Sequence, residues 1–142
     1  MTASSYVETY DVDGTELVAI GEASTKIKAV LKELGIPSTL VRRASIIAYE
    51  AEMNLVIHGG GGSMKLEVSS DSIKIWAIDS GPGIPDIERA MTEGFSTASE
   101  KIREMGFGAG MGLPNIKRNA DDLNLKSEVG KGTTLMALVK LQ

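Results

Sequence analysis

The chain has 142 residues, of which 42% are hydrophobic and 24% are charged, and these proportions are typical of one globular domain with a substantial core. Its formal net charge of −4 argues against binding to nucleic-acid phosphates, and the absence of cysteine excludes disulfides and thiolate chemistry. No apolar run approaches membrane-spanning length and the first 20 residues are acidic, so we expect no membrane segment and no signal peptide but a single cytoplasmic domain over residues 1–142.

The N-terminal region is predicted to form a strand and then a helix. Residues 5–10 are typical of a short strand, and the polar residues of 11–14 predict a turn. Apolar residues recur at helical spacing over 16–34. Gly35 is suited to end this helix, and Pro37 prevents its continuation.

A second helix is predicted over 39–58, with Ser38 as its cap, and it is apolar on nearly every side, which indicates burial. Glu50, Asn54 and His58 are four residues apart, so they share one stripe of this helix. In one interpretation they form a solvated edge in which Glu50 bonds to Asn54. In the other they form a catalytic site. Glu50 is then a general base, Asn54 an oxygen ligand of magnesium and His58 a supporting group.

The remainder of the chain is predicted to contain strands, turns and two shorter helices. Glycines 59–62 end the buried helix, Pro85 suits the first turn of a short helix, and residues 111–121 form another helix. Four strands are predicted, at 64–68, 73–78, 123–129 and 133–141. Helices alternate loosely with antiparallel hairpins, which predicts an α+β fold of two layers with the helices on one face of the sheet.

Asp79 and the glycines after it are interpreted as the base-binding part of a nucleotide pocket. An apolar run brings Asp79 to the end of a predicted strand, where its carboxylate can accept a hydrogen bond from an exocyclic amine such as adenine N6. Gly81 and Gly83 have no Cβ, so the backbone can turn tightly and approach a flat ring. Taken alone, this motif also fits an ordinary turn after a strand.

A second glycine-rich run, 106–112, is interpreted as the phosphate-binding part of the pocket. Its glycines expose successive N–H groups ahead of a helix start at Leu113, an arrangement that favours anions. The run matches neither Gly-x-x-x-x-Gly-Lys-Ser/Thr nor Gly-x-Gly-x-x-Gly, and on these residues alone a structural linker is an equal alternative. The segment 94–110 is rich in glycine and small polar residues and is predicted to be a mobile lid.

Four motifs occur together in one chain order: Glu50-x-x-x-Asn54, Asp79-x-Gly81-x-Gly83, the run 106–112, and Gly132-Thr133-Thr134. In this order they resemble the GHKL, or Bergerat-fold, ATPases, the superfamily of gyrase, Hsp90, histidine kinases and MutL. The resemblance extends from about residue 16 to the C-terminus. It implies a two-layer α/β sandwich with a mixed, mostly antiparallel sheet, and with ATP and magnesium (Mg2+) bound between sheet and helices.

Within this superfamily the chain resembles the small bacterial serine/threonine kinases that regulate anti-sigma-factor antagonists, and most of all the stressosome switch kinase. The similar segments are 81–87, 94–97, 108–110 and 130–134. The resemblance implies phosphorylation of a serine or threonine on a STAS-domain partner, with a sigma factor or a PP2C-type phosphatase as a further partner. Residues 98–105 make the lid longer than in that family, which leaves open which partner docks there. Whether the protein forms a homodimer is also left open.

The resemblance implies roles for individual residues. Glu50 takes the proton from the attacking hydroxyl, Asn54 holds magnesium, Asp79 binds adenine, and Thr133 supports Asp79. The lid, about 84–111, cradles the phosphates. The other residues that the resemblance places in the nucleotide site are Gly81, Gly83, Ile84, Ser96, Thr97, Gly106, Gly108, Ala109, Gly110, Met111, Gly112 and Leu113.

Two other functions are compatible with these motifs. One is a nucleotide-dependent binding module that sequesters a sigma factor or activates a phosphatase with little turnover. The other is a detached histidine-kinase-like ATPase domain. The presence of both Glu50 and Asn54 favours the kinase, because a pure binder needs no general base. Nothing before residue 16 is expected to supply the helical hairpin that bears a phosphoacceptor histidine.

Overall fold

A computed structural model describes residues 6–14, 20–58, 60–81, 83, 91 and 112–141. Its elements in chain order are β1 (Tyr6–Asp13), α1 (Glu22–Glu33), α2 (Ser38–Ile57), β2 (Gly61–Val68), β3 (Ser72–Ile78), α3 (Gly112–Asn119), β4 (Asp122–Glu128) and β5 (Gly132–Lys140). The strands form one sheet in the order β1-β2-β3-β5-β4. The predicted α+β fold is confirmed, although the pairings between these strands are all antiparallel instead of mixed. The helix predicted at Pro85 and most of the predicted lid lie outside the described residues.

Helices cover one face of the sheet because the strands alternate between apolar and polar side chains. In β2, Met64 and Leu66 are fully buried. Lys65, between them, points to the other face, where its ammonium group lies 4.7 Å from the centroid of the Trp76 ring. The core of the domain therefore lies between the helices and the face that carries Met64 and Leu66.

The central helix of the covering layer is α2, as its apolar sequence predicts. It packs against α1, α3 and the strands β1, β2, β3 and β5. Arg43 fastens α2 to the end of α3: its Nε donates to the Asn119 carbonyl oxygen at 2.9 Å, and its guanidinium lies 3.2 Å from the Asp121 carboxylate. Although α2 has 20 residues, none of the described helices is apolar enough over a sufficient length to cross a membrane.

Strand β1 is longer than predicted. It continues to Asp13, which pairs with Gly61, so the prediction of a turn over 11–14 is wrong. The physical reason is Val12, which is buried against the core and holds this segment on the sheet. Gly61 and Gly62, predicted to end the preceding helix, instead open β2 as the partners of Asp13 and Val12.

The starts of both N-terminal helices also differ from prediction. Gly21 has a φ of 111°, a left-handed conformation that cannot continue a helix, so α1 begins at Glu22 instead of residue 16. Ser38 is the first residue of α2 and not its cap. Pro37 occupies the cap position, where no side chain bonds to the backbone.

The buried carboxylate of Glu52 caps α1 from the neighbouring helix. Glu52 lies in α2 and is only 2% exposed. Its Oε1 accepts a hydrogen bond from the Ser24 N–H at 2.9 Å, and its Oε2 accepts one from the Ala23 N–H at 3.2 Å. Because Gly21 has no side chain to cap α1, these bonds satisfy N–H groups that would otherwise lack a partner, and they place negative charge at the helix N-terminus.

Replacement of Glu52 by alanine is expected to lower the free energy of unfolding by about 2–4 kcal/mol, because two buried N–H groups lose their acceptor. Denaturant unfolding monitored by circular dichroism measures this change. The matched control is Glu33→Ala, which removes an exposed carboxylate from the last turn of α1 and is expected to change stability by less than about 0.5 kcal/mol. Equal stability of the two variants would contradict the capping role.

Candidate functional site

Asp79 directly follows β3 and is held in place by backbone hydrogen bonds. Its Oδ1 accepts bonds from the N–H of Gly81 at 2.8 Å and from the N–H of Thr133 at 3.3 Å. Its own N–H donates to the Thr133 carbonyl oxygen at 3.0 Å. No described residue donates to Oδ2, so this carboxylate oxygen is left to accept a hydrogen bond from the amine of a ligand.

Glycines surround Asp79 because neighbouring backbones approach it closely. A Cβ on Gly132, which has a φ of 118°, would lie 2.9 Å from the Asp79 carbonyl carbon. A Cβ on Gly62 would lie 3.2 Å from the Asp79 Cα. Gly83 has a φ of 79°, and a Cβ there would lie 3.0 Å from the Val129 Cα. Larger residues at these positions would push the backbones apart and displace the carboxylate.

Thr133 supports Asp79 through its backbone. Both of its main-chain groups bond to Asp79, whereas its hydroxyl forms a hydrogen bond of 2.8 Å with the Ser127 hydroxyl in β4. The start of β5 is thereby bonded both to the residue that follows β3 and to β4, its two neighbours in the sheet. The structure thus places Thr133 beside Asp79, with the hydroxyl directed to β4.

Glu50 is oriented by a contact that the sequence does not reveal. Its Oε2 accepts a hydrogen bond of 2.9 Å from the Asn115 side-chain amide in α3. The Asn115 Oδ1 in turn accepts a bond of 2.8 Å from Arg118 Nη2, which fixes the amide with its nitrogen toward Glu50. Among the described residues no donor reaches Glu50 Oε1. One oxygen is therefore anchored and the other can accept a proton.

Asn54 lies one turn after Glu50 in α2 and faces the start of α3. A Cβ on Gly112 would lie 3.2 Å from Asn54 Oδ1 and 3.4 Å from Nδ2, so glycine lets the two helices meet here. No group of three His, Cys, Asp or Glu side chains that could hold a metal occurs in the described ranges. Magnesium fits Asn54 nonetheless, because this ion commonly takes one or two protein oxygens and completes its shell with water and phosphate.

Asp79 and Asn54 lie at the same end of the sandwich. Helix α2 ends at Ile57 and β2 begins at Gly61, so Asn54 is about one helical turn before the short connection to β2. Gly62, the second residue of β2, packs against Asp79. The candidate base-binding carboxylate and the candidate metal ligand are therefore brought to one edge of the fold.

His58 follows α2 at this end of the molecule and is partly buried. Burial lowers the pKa of its imidazole below the ordinary value of 6.5, because desolvation disfavours the charged form. The neutral imidazole is thus the form that the folded protein favours. The unfolded chain binds the proton more tightly than the folded protein. The resulting contribution to stability is therefore present above the unfolded pKa and is lost as the pH falls through the folded pKa.

We expect the free energy of unfolding to fall as the pH decreases from about 7.5 to about 5.5, through the unfolded pKa of His58 and toward its lower folded pKa. His58 is the only histidine of the chain, so this window contains no other histidine titration. Urea unfolding at several pH values measures the effect, with His58→Gln as comparison. A pH dependence that is the same in both proteins would rule out His58 as its source.

The other predicted site residues divide into two groups. Gly112 and Leu113 open α3, where the Leu113 side chain is buried in the core. Eight predicted nucleotide-binding residues lie outside the described residues: Ile84, Ser96, Thr97, Gly106, Gly108, Ala109, Gly110 and Met111. Asn115, which the sequence analysis does not single out, joins the site because α3 packs on α2. Its only local signal is an amide in the first turn of the helix after a glycine-rich run.

Known proteins are similar to this chain in sequence or in fold. Residues 40–142 match the family described as histidine kinase-, DNA gyrase B-, and HSP90-like ATPase. The serine/threonine-protein kinase RsbT of Bacillus subtilis (strain 168) is 37% identical over 113 residues, which cover 77% of this chain and 79% of that protein. The anti-sigma F factor of Thermoanaerobacter sp. (strain X514) is 40% identical over 89 residues, which cover 59% of each protein. A chain of the SiaB-SiaC complex from Pseudomonas aeruginosa has a similar fold, with a TM-score of 0.60 at 12% identity over 93% of this chain and 88% of that one.

Proposed function

Because the chain belongs to the histidine kinase-, DNA gyrase B-, and HSP90-like ATPase family, we propose that it is an ATP-dependent serine/threonine protein kinase. The similarity to RsbT, whose name states this activity, supports the proposal. The proposed substrate is a STAS-domain protein of the anti-sigma-factor antagonist type, because the sequence motifs resemble kinases that act on such proteins. The proposed setting is a bacterial sigma-factor or stress-signalling switch in the cytoplasm, where ATP is available.

The observation that carries the proposal is the anchored carboxylate of Glu50. A general base must be held within hydrogen-bond reach of the proton that it removes. Asn115 holds one oxygen of Glu50 at 2.9 Å, and this bond restricts the orientation of the carboxylate. Oε1 is then the atom that accepts the proton of the substrate hydroxyl.

The proposed reaction is an in-line phosphoryl transfer. The hydroxyl oxygen of the substrate serine or threonine forms a bond to the γ-phosphorus of ATP, while the bond from that phosphorus to the bridging oxygen breaks and ADP leaves. The hydroxyl proton passes to Glu50. Magnesium at Asn54 would neutralise part of the phosphate charge and orient the phosphates. The chain itself contributes mainly alignment, because this reaction needs little covalent chemistry from the protein.

The adenine is proposed to bind at Asp79. Oδ2, to which no described residue donates, accepts a hydrogen bond from the N6 amine, and the glycines at 81 and 83 leave room for the ring. The phosphates are proposed to bind the glycine-rich run that precedes α3, where backbone N–H groups and a helix N-terminus favour anions. Residues 84–111 are proposed to close over the nucleotide as a lid within the single domain 1–142.

The proposed activity is tested by phosphate transfer to candidate substrates. The purified protein is incubated with ATP and magnesium and with each STAS-domain protein of its own genome, and the products are analysed by mass spectrometry. We expect one STAS-domain protein to gain a phosphoryl group on a serine or threonine. An acid-labile product on histidine would instead support a histidine-kinase-like domain. ATP binding without transfer to any of these proteins would contradict the kinase proposal.

Binding without turnover is the second candidate function, and the similarity to an anti-sigma F factor favours it. In this case the protein would hold a sigma factor or a PP2C-type phosphatase in a nucleotide-dependent complex, either as a monomer or as a homodimer. Light scattering after size-exclusion chromatography, with ADP and with ATP, measures both the complex and the oligomeric state. A complex that forms equally well with Glu50→Gln would show that this binding needs no catalytic base.

A further inference from the structure

A groove between α1 and α2 opens beside Glu50. Its volume is about 660 Å³, and both helices line it: Lys28 and Lys32 from α1, and Arg42, Ser45, Tyr49 and Glu50 from α2. Most of its other lining residues are apolar. This volume lies in the range of known ligand pockets, so the groove can hold several side chains of a bound partner. The groove therefore connects the proposed catalytic carboxylate with a surface that lies outside the nucleotide pocket.

The groove carries positive charge although the protein as a whole is acidic, with a net charge of −4. Lys28, Lys32 and Arg42 are exposed, and none of them forms an ion pair with another described residue. Among the described residues that line the groove, Glu50 is the only acidic one. Unpaired cations on a concave surface attract anionic groups and raise their local concentration.

The wall of the groove includes a serine hydroxyl and a partly exposed aromatic side chain. The Ser45 Oγ is buried and has no hydrogen-bond partner among the described residues. Because this oxygen has almost no accessible surface, it belongs to the wall of the groove and is not a contact for a bound chain. Tyr49, which is 37% exposed next to Glu50, adds apolar surface that a bound peptide can cover.

We propose that this groove binds an acidic segment of the protein substrate and thereby brings the acceptor hydroxyl to Glu50. The inference rests on the proposed kinase function. The positive side chains select carboxylates, and the apolar lining packs against the rest of the segment. The groove residues act in docking and are positioning residues, with the exception of Glu50.

Helix geometry predicts where the acidic residues of the substrate lie. Arg42 is eight positions before Glu50 in α2, and Ser38, which also lines the groove, is twelve positions before it. At about 1.5 Å per residue these separations are about 12 Å and about 18 Å. An extended peptide covers about 3.3 Å per residue. The acidic residues are therefore expected about three to six positions from the phosphoacceptor.

The test uses fluorescent peptides that carry one serine and glutamates at the third to sixth positions before or after it, with glutamine versions as controls. Fluorescence anisotropy without ATP measures their binding. We expect the wild type to bind one glutamate peptide about tenfold or more tightly than its glutamine version, with a preference that weakens in high salt. The variant Lys28→Glu/Lys32→Glu/Arg42→Glu is expected to lose this preference.

The matched control is Lys26→Glu/Lys126→Glu/Lys140→Glu, which changes the net charge equally at exposed lysines outside the groove and is expected to keep the preference. Both triple variants are expected to bind ATP like the wild type. With an unphosphorylated STAS-domain protein that the wild type phosphorylates, the groove variant is expected to raise KM and leave kcat unchanged. Equal binding of glutamate and glutamine peptides by the wild type, or equal loss in both variants, overturns the docking proposal. Peptide selectivity without any phosphate transfer contradicts the kinase proposal and leaves the docking site intact.

Discussion

Asp79→Asn is expected to weaken ATP binding by about a hundredfold or more, which corresponds to about 3 kcal/mol. The structure explains why so small a change has this effect. Two backbone N–H groups, those of Gly81 and Thr133, require an acceptor at Oδ1. The asparagine oxygen must take that place, so its NH2 group replaces Oδ2 and meets the adenine amine donor to donor. Calorimetric titration with ATP and magnesium measures the loss.

A change of base provides an internal control for this variant. Inosine triphosphate has a carbonyl oxygen where ATP has the N6 amine, so the asparagine NH2 group can donate to it. The ratio of ATP affinity to inosine triphosphate affinity is expected to reverse between wild type and Asp79→Asn. The exposed strand residue Asp11 gives a second control, since Asp11→Asn removes the same charge and is expected to leave binding unchanged. Unaltered ATP affinity in Asp79→Asn would show that another residue recognises the base.

The architecture could be predicted from the sequence because it depends on periodicity. Alternating apolar residues such as Met64 and Leu66 define the buried face of a strand wherever the strand lies in the chain. The central position of helix α2 could be predicted because apolar residues occur on nearly every side of it. The element ends were harder to predict, because they depend on contacts with distant residues. Val12 keeps β1 on the sheet through the core, and this contact outweighs the turn preference of the aspartates beside it.

The same distinction between local and distant contacts separates the site residues that could be predicted from those that could not. Asp79 and its glycines could be predicted because their chemistry is local: a carboxylate at a strand end, followed by residues that allow close approach. Asn115 could not, because it reaches Glu50 across 65 positions of sequence. Glu52 could not either, since its bonds to α1 span 28 and 29 positions. Both carboxylates lie on α2, and only the packing of α1 and α3 decides that one caps a helix while the other has an oxygen to which no described residue donates.

Glu50→Gln is expected to leave ATP affinity within about twofold of wild type and to lower the rate of phosphate transfer by about 10²–10⁴-fold. Glutamine has the same shape and can still accept the bond from Asn115, but it cannot take up the hydroxyl proton. Glu50→Ala is expected to show the same two effects, an ATP affinity close to that of the wild type and a similar fall in the rate of transfer. Calorimetry with ATP and magnesium measures the affinity, and single-turnover transfer to a STAS-domain substrate measures the rate.

The controls separate loss of the base from loss of its orientation. Asn115→Ala removes the anchor of Glu50, together with the acceptor of Arg118, and leaves the carboxylate itself in place. Its rate is therefore expected to fall less than that of Glu50→Gln, and its ATP affinity to stay unchanged. Glu33→Gln, at an exposed carboxylate of α1, is expected to match the wild type. Asp79→Asn is expected to fail at binding and Glu50→Gln after binding, so together they assign recognition to the carboxylate that follows β3 and chemistry to the carboxylate on α2. Equal loss of ATP affinity in both variants would contradict these roles. Undiminished transfer by Glu50→Gln would remove the general base from the mechanism.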